Sequence, residues 1–211
     1  MAPVVEKGEV NEPEASRWRA LRWLAVAALA AVVFVGCLGR HGGIGLGEVV
    51  GVDGAVHRPL AQAGLKAAVF IFLSNECPAA NRTAPEIGRL NREFGARGVS
   101  FWMVHADPDE TAESIRRHAM EYGLPGTVIR DPGYRLAKLT GVRKTPEAAV
   151  VLPDGLLVYR GRVDDRYVAL GRERTVVTRR DVAEVLEAIV AGRSVVPRSE
   201  EAVGCHIPME R

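Results

Sequence analysis

Cysteine is scarce in this chain: three in 211 residues, Cys37, Cys77 and Cys205, with no two close together. A net charge excess is also missing. The balance is only +2, which gives no reason to invoke nucleic acid. The arginines around Arg172-Glu173-Arg174 are interleaved with acids and read as solvated faces. No G-K-[ST] follows any of the glycines, so a phosphate loop is excluded. His57, His105 and His118 show no metal-ligand spacing and read as structural or exposed. No internal repeat is present, and no motif calls for a cofactor. At 47% apolar and 26% charged residues, the composition is that of an ordinary globular protein, with room for one domain and appendages.

The stretch that organises the rest is Lys66 to Glu86, KAAVFIFLSNECPAANRTAPE. Ala67 to Leu73 is an apolar run of β-branched and aromatic residues, the length of a buried strand. Ser74-Asn75-Glu76 breaks it, and Cys77-Pro78 follows. Ile87, Leu90, Asn91 and Phe94 then recur at helical spacing, with Gly95 closing the segment. Cys77 therefore sits where a buried strand hands over to a helix N-terminus. Free amide N–H groups and the positive end of the helix dipole favour a thiolate there. A small buried residue that happens to be cysteine is the plain alternative.

Residues 1–16 are polar and acidic and are expected to be disordered. Arg17, Arg19 and Arg22 then precede an uncharged apolar run from Trp23 to Gly39. Residues 17–39 read as an export segment with positive charge on its cytoplasmic side. Two forms stay open: an uncleaved membrane anchor, or a lipoprotein signal in which Cys37 of Phe34-Val35-Gly36-Cys37 is lipidated. Both place the domain in the cell envelope, tethered to the membrane on its extracytoplasmic side. There Cys77 and Cys205 meet oxidising conditions.

Residues 40–47 form a Gly-rich linker, and residues 48–192 the domain. Glu48 to Pro59 predicts a hairpin around Asp53-Gly54. Val99 to His105 is a second strand. Asp109 or Thr111 caps a helix running to about Tyr122. A strand over Thr127 to Arg130 and a helix over Tyr134 to Thr140 follow. Glu147 to Leu152 and Leu156 to Arg160 flank Asp154-Gly155 as an antiparallel hairpin. Gly161 to Thr175 reads as a surface loop. Within it, Asp164 and Asp165 read as a salt-linked pair, with a site-lining or cation-binding role left open. Thr178 is expected to cap a last helix with an apolar face at Val182, Val185, Leu186 and Ile189. The order argues for an α/β domain with a mixed central sheet and helices on both faces. Residues 193–211 are a tail with few apolar side chains, expected to be loose apart from a tie through Cys205 or His206.

With these pieces in view, the chain resembles the thioredoxin-like superfamily, in its redoxin and peroxiredoxin-like branch. The resemblance rests on the strand before Cys77-Pro78, on Thr145-Pro146 ahead of a strand and hairpin, and on the final helix. It implies a thioredoxin-like fold and a cis bond at Thr145-Pro146 lying against Cys77, with Thr145 and Pro146 meeting substrate. Two departures matter. Ala80 stands where C-x-x-C needs its second thiol. Of the peroxidase pattern P-x-x-x-T-x-x-C, Phe70 replaces the proline and Ser74 the threonine. Ser74 and Arg143 remain the candidates for activating a peroxidatic thiolate.

The resemblance implies a thiol redox enzyme. Cys77 is its nucleophile toward a peroxide or a protein thiol or disulfide, Cys205 its resolving partner, and an external thiol its reductant. A static Cys77–Cys205 disulfide is the alternative for the second cysteine. Two other readings stand beside it: a copper-binding module using Cys77, Cys205 and His206, and a scaffold without turnover.

Overall fold

The computed structural model describes residues 43–209. Residues 1–16, expected to be disordered, and residues 17–39 with Cys37, expected to be an export segment, lie outside the described residues. Among those described, no helix is long and apolar enough to cross a membrane.

The chain opens with a small antiparallel hairpin, β1 (Val49–Val50) and β2 (Val56–His57). Asp53 accepts the Ala55 amide, and Gly54 takes the positive φ of the turn. β3 (Ala67–Leu73) is buried along its whole length, as a run without polar alternation must be when both faces are covered. α1 (Pro78–Phe94) follows. Gly95 does not end the segment. A 3-10 turn over Gly95–Arg97 continues it, and the chain reverses at Gly98 with φ 90°. A side chain at Gly98 would press on the Gly64 carbonyl.

β4 (Val99–His105) runs parallel to β3, with Leu73 opposite His105. α2 (Ala112–Glu121) is capped by Thr111, whose hydroxyl accepts the Ser114 amide. β5 (Thr127–Arg130) pairs parallel with β4, and α3 (Arg135–Thr140) follows. The two-residue β6 (Lys144–Thr145) leads into β7 (Glu147–Val151), antiparallel to β3. β8 (Leu157–Gly161) completes a hairpin with β7.

Period-two alternation sends the two faces of β3 into two cores. Val69, Ile71 and Leu73 pack with Ile87, Leu90 and Phe94 of α1, and with Val182, Val185 and Leu186 of α4 (Asp181–Val190). Phe70 and Phe72 pack on the other side with Trp102, Ile129, Leu136 and Val142. Arg180 ties α4 to α1 through Glu86 at 2.8 Å and Glu93 at 2.9 Å.

Three expectations change. Residues 161–175 are not a plain surface loop: Val163, Asp164 and Asp165 are buried, and β9 (Tyr167–Ala169) pairs with β10 (Arg172–Glu173). Thr178 does not cap α4. Its amide and hydroxyl both donate to Asp165, and α4 begins at Asp181 without a side-chain cap. Nor is the tail loose. β11 (Arg198–Ser199) joins the sheet parallel to β8, and β12 (Cys205–His206) pairs antiparallel with β6. The six-stranded sheet therefore runs β11-β8-β7-β3-β4-β5.

Because α1 carries Cys77, its seat on the sheet sets the site. Ile87→Ala is expected to lower stability by about 2–5 kcal/mol through lost burial and a residual cavity. Urea unfolding measures it.

Candidate active site

Cys77 is the N-cap residue of α1, with extended backbone angles, and Pro78 takes the first helical position. Proline is at home there because its missing N–H would have no helical partner. The thiol is 1% exposed and donates to the Thr145 carbonyl at 3.0 Å. The Thr145-Pro146 bond is cis. As the resemblance implied, the loop before β7 meets the cysteine.

The tail closes over the same place. β12 sets the Cα of Cys205 opposite that of Thr145, and His206 opposite Lys144. The Ile207 amide donates to the Arg143 carbonyl at 2.9 Å. Lys144 Nζ reaches back to the Ala202 carbonyl at 2.8 Å. Gly204 packs directly on the Thr145 carbonyl, where any Cβ would collide. Behind β6, the Glu147 carboxylate accepts the amides of Arg143 and Lys144 at 2.9 and 3.0 Å. Both described cysteines are free thiols, and each shifts the other's ionisation.

Burial opposes ionisation of Cys77, but donors outweigh it. Interactions with Thr145, Cys205 and Ala80 hold its pKa below the ordinary value. The Thr145 carbonyl accepts from the neutral thiol, a bond that by itself opposes ionisation. Cys205 moves the other way. Burial, and then the neighbouring Cys77, push it up to about 11. The pair is polarised: Cys77 gives up its proton more readily, and Cys205 holds its proton more tightly.

Several candidates from the sequence lie elsewhere. The Ser74 hydroxyl donates to Glu110 at 3.0 Å and so is committed away from the sulfur. Arg143 is exposed and contributes its backbone to β6. His206 is exposed and, one residue from Cys205 on a strand, points to the opposite face. Cys77, Cys205 and His206 therefore do not converge. Among the described residues no group of three His, Cys, Asp or Glu side chains could hold a metal. Asp165 accepts the Thr178 and Arg179 amides and pairs with Arg174, so it ties its loop to the start of α4.

Other residues at the site carried no signal in the sequence. Glu110 accepts the Asn75 amide at 2.6 Å and the Ser74 hydroxyl, and pairs with His105 Nδ1 at 2.7 Å. Its carboxylate thus holds the turn that delivers Cys77. His118 meets Asn81 at 2.7 Å, and Asn81 in turn donates to the Asn75 carbonyl. The rings of His105 and His118 meet edge to face, 5.3 Å apart. The register of β4 against β3 brings His105 to the end of β3. Glu110, 35 residues beyond Asn75, reaches the turn only through that pairing.

Two groups of this network make stability pH-dependent with the same sign. Burial, followed by the nearby His105 charge, lowers the His118 pKa from 6.5 to about 4. The unfolded chain binds the proton first, so stability falls as pH drops from 6.5 toward 4. Glu110 is held below its usual range. Burial resists that shift, while the bonds from His105, Asn75 and Ser74 produce it. Its contribution is present above pH 4.5 and lost in stronger acid. Urea unfolding across pH 4–7 is expected to show the slope, and His118→Gln to flatten its upper part.

The Redoxin family model matches residues 48–174. An uncharacterized conserved protein from Geobacillus kaustophilus superposes with a TM-score of 0.67 at 28% identity, over 76% of this chain and 87% of that one. A thioredoxin-like protein from Aeropyrum pernix gives 0.51 at 19% identity, over 79% and 99%. A Chlorobium tepidum protein described as a thiol:disulfide interchange protein, DsbE, gives 0.50 at 17% identity, over 69% and 90%. No curated protein matches. The mixed sheet between two helical layers is the architecture these structures share with the chain. The family match covers well over half of the sequence and includes both Cys77 and the cis bond at Pro146, so the chain belongs to the Redoxin family, on a thioredoxin-like fold.

Proposed function

We propose that this protein is an exported, membrane-tethered thiol–disulfide oxidoreductase whose redox pair is Cys77 and Cys205. Its family and fold support a thiol redox role. The observation that carries the finer reading is the docking of the tail: β12 sets Cys205 against Cys77 across Thr145. A C-x-x-C site supplies its second thiol one helical turn on, where this chain has Ala80. Here the second thiol comes from the far end of the chain.

Cys77 is the nucleophile that makes the bond to Cys205. Forming the disulfide releases two protons and two electrons to an oxidised acceptor. Reduction by an external thiol returns them. The substrates are protein thiols or disulfides. Exchange fits better than peroxide reduction, because Ser74 is bound to Glu110 and Arg143 faces solvent. Both residues expected to activate a peroxidatic thiolate are thus engaged elsewhere. Thr145 and Pro146 hold the sulfur, and β12 takes the edge beside them. The export segment 17–39, with Arg17, Arg19 and Arg22 before it, supports an extracytoplasmic location.

The test is disulfide mapping of the oxidised protein beside turnover on a dithiol peptide. A Cys77–Cys205 bond that dithiothreitol readily reduces is expected. Cys77→Ser should lower exchange at least about a hundredfold, as loss of a nucleophile does, and Cys205→Ser should abolish the internal disulfide. Fast sulfenic acid formation at Cys77, with no exchange on the peptide, would favour a peroxidase instead.

A further inference from the structure

The docked tail does more than supply a second thiol. It covers the first one. Cys77 is 1% exposed, whereas Cys205 is only partly buried. The cover is built along its length. At one end, β11 lies on β8 with Arg198 opposite Tyr159. Gly161 packs on the Glu200 backbone, where a Cβ would collide. The Glu200 amide donates to the Arg160 carbonyl at 2.9 Å. Ala202 is buried, and so is Ile207 beyond the cysteine. The Tyr134 hydroxyl donates to the Pro208 carbonyl at 2.8 Å. Cys205 is thus held between two anchored points.

We infer that Cys205, not Cys77, is the sulfur that external thiols meet, and that Cys77 is the internal leaving group of the disulfide. This rests on the redox pair proposed above. In the oxidised protein an incoming thiolate attacks Cys205 Sγ. The Cys205–Cys77 bond breaks, and its electron pair leaves on Cys77 Sγ. A mixed disulfide now joins Cys205 to the incoming sulfur. A second thiolate attacks that incoming sulfur, forms the external disulfide and releases Cys205, which takes a proton from water. A dithiol partner completes both steps within one encounter.

Two independent features agree with this direction. The sterics leave Cys205 as the reachable sulfur. Cys77 stands at a helix N-terminus, which favours negative charge on that sulfur, the property a leaving thiolate needs. Attack at Cys77 would have to expel Cys205 instead, the partner whose proton is held more tightly.

Reduced glutathione, added to the oxidised full chain and quenched with acid, is the probe. It cannot complete the second step within one encounter. Peptide mapping is expected to find glutathione on Cys205 at least about tenfold over Cys77, with Cys77 free to alkylation. Glutathione mainly on Cys77 would overturn the inference and leave the redox pair standing. Absence of a Cys77–Cys205 disulfide in the oxidised protein would overturn both. A second arm uses the reduced protein. Gly204→Val places a side chain against the Thr145 carbonyl and should lift β12, raising Cys77 alkylation at least about tenfold. Its circular dichroism should stay at that of the parent. An unchanged rate with the fold intact would show that the tail is not the cover, and would also overturn the inference.

Discussion

The contact on which the site depends is the antiparallel pairing of β12 with β6. It joins two strands of two residues each, and the sequence separates them by most of the C-terminal half of the domain. The pairing sets Cys205 opposite Thr145, whose carbonyl accepts from the buried Cys77 thiol. Glycine at position 204 makes the approach possible, because no Cβ fits against the Thr145 carbonyl. The cis bond to Pro146 shapes the other side of the same contact. Remove the pairing and the helix N-terminus still carries a cysteine, but without its partner or its cover.

Burial and ionisation pull against each other at Cys77. A thiol buried between a helix N-terminus and the Thr145-Pro146 loop would ordinarily resist losing its proton. The helix N-terminus favours the thiolate, and interactions with Thr145, Cys205 and Ala80 reverse that preference. The turn that aims the sulfur is itself held from below. Glu110 binds its amide and hydroxyl, His105 binds Glu110, and Asn81 and His118 close the ring of contacts. A charged residue is tolerated in that place because each of its oxygens finds partners.

Much of this was legible in the sequence, and for identifiable reasons. The apolar run of β3 and the Cys-Pro step after it mark the strand-to-helix handover directly. Asp53-Gly54 and Asp154-Gly155 specify their hairpins, and Thr111 caps α2. The apolar face of α4 fixes its packing side, though Thr178, its expected cap, is drawn to Asp165. What the sequence hid was held by backbone rather than by hydrophobic pattern. β11 and β12 are too short to show a period, so the tail read as loose. Asp164 and Asp165 read as surface residues, yet both are buried and Asp165 is satisfied by backbone amides. Glu110 and His105 entered the site through strand register, which no local pattern announces. Ser74 matched a peroxidase position by type, but Glu110 is its partner.

The most direct measurement is the pH dependence of Cys77 alkylation by iodoacetamide in the reduced, full-length protein, followed by mass spectrometry of the Cys77 peptide. A thiolate held by the helix N-terminus and the docked tail gives a midpoint below the ordinary thiol value of about 8.5, with Cys205 titrating well above it. A Cys77 midpoint at or above that value, or a Cys205 that ionises first, would contradict the account.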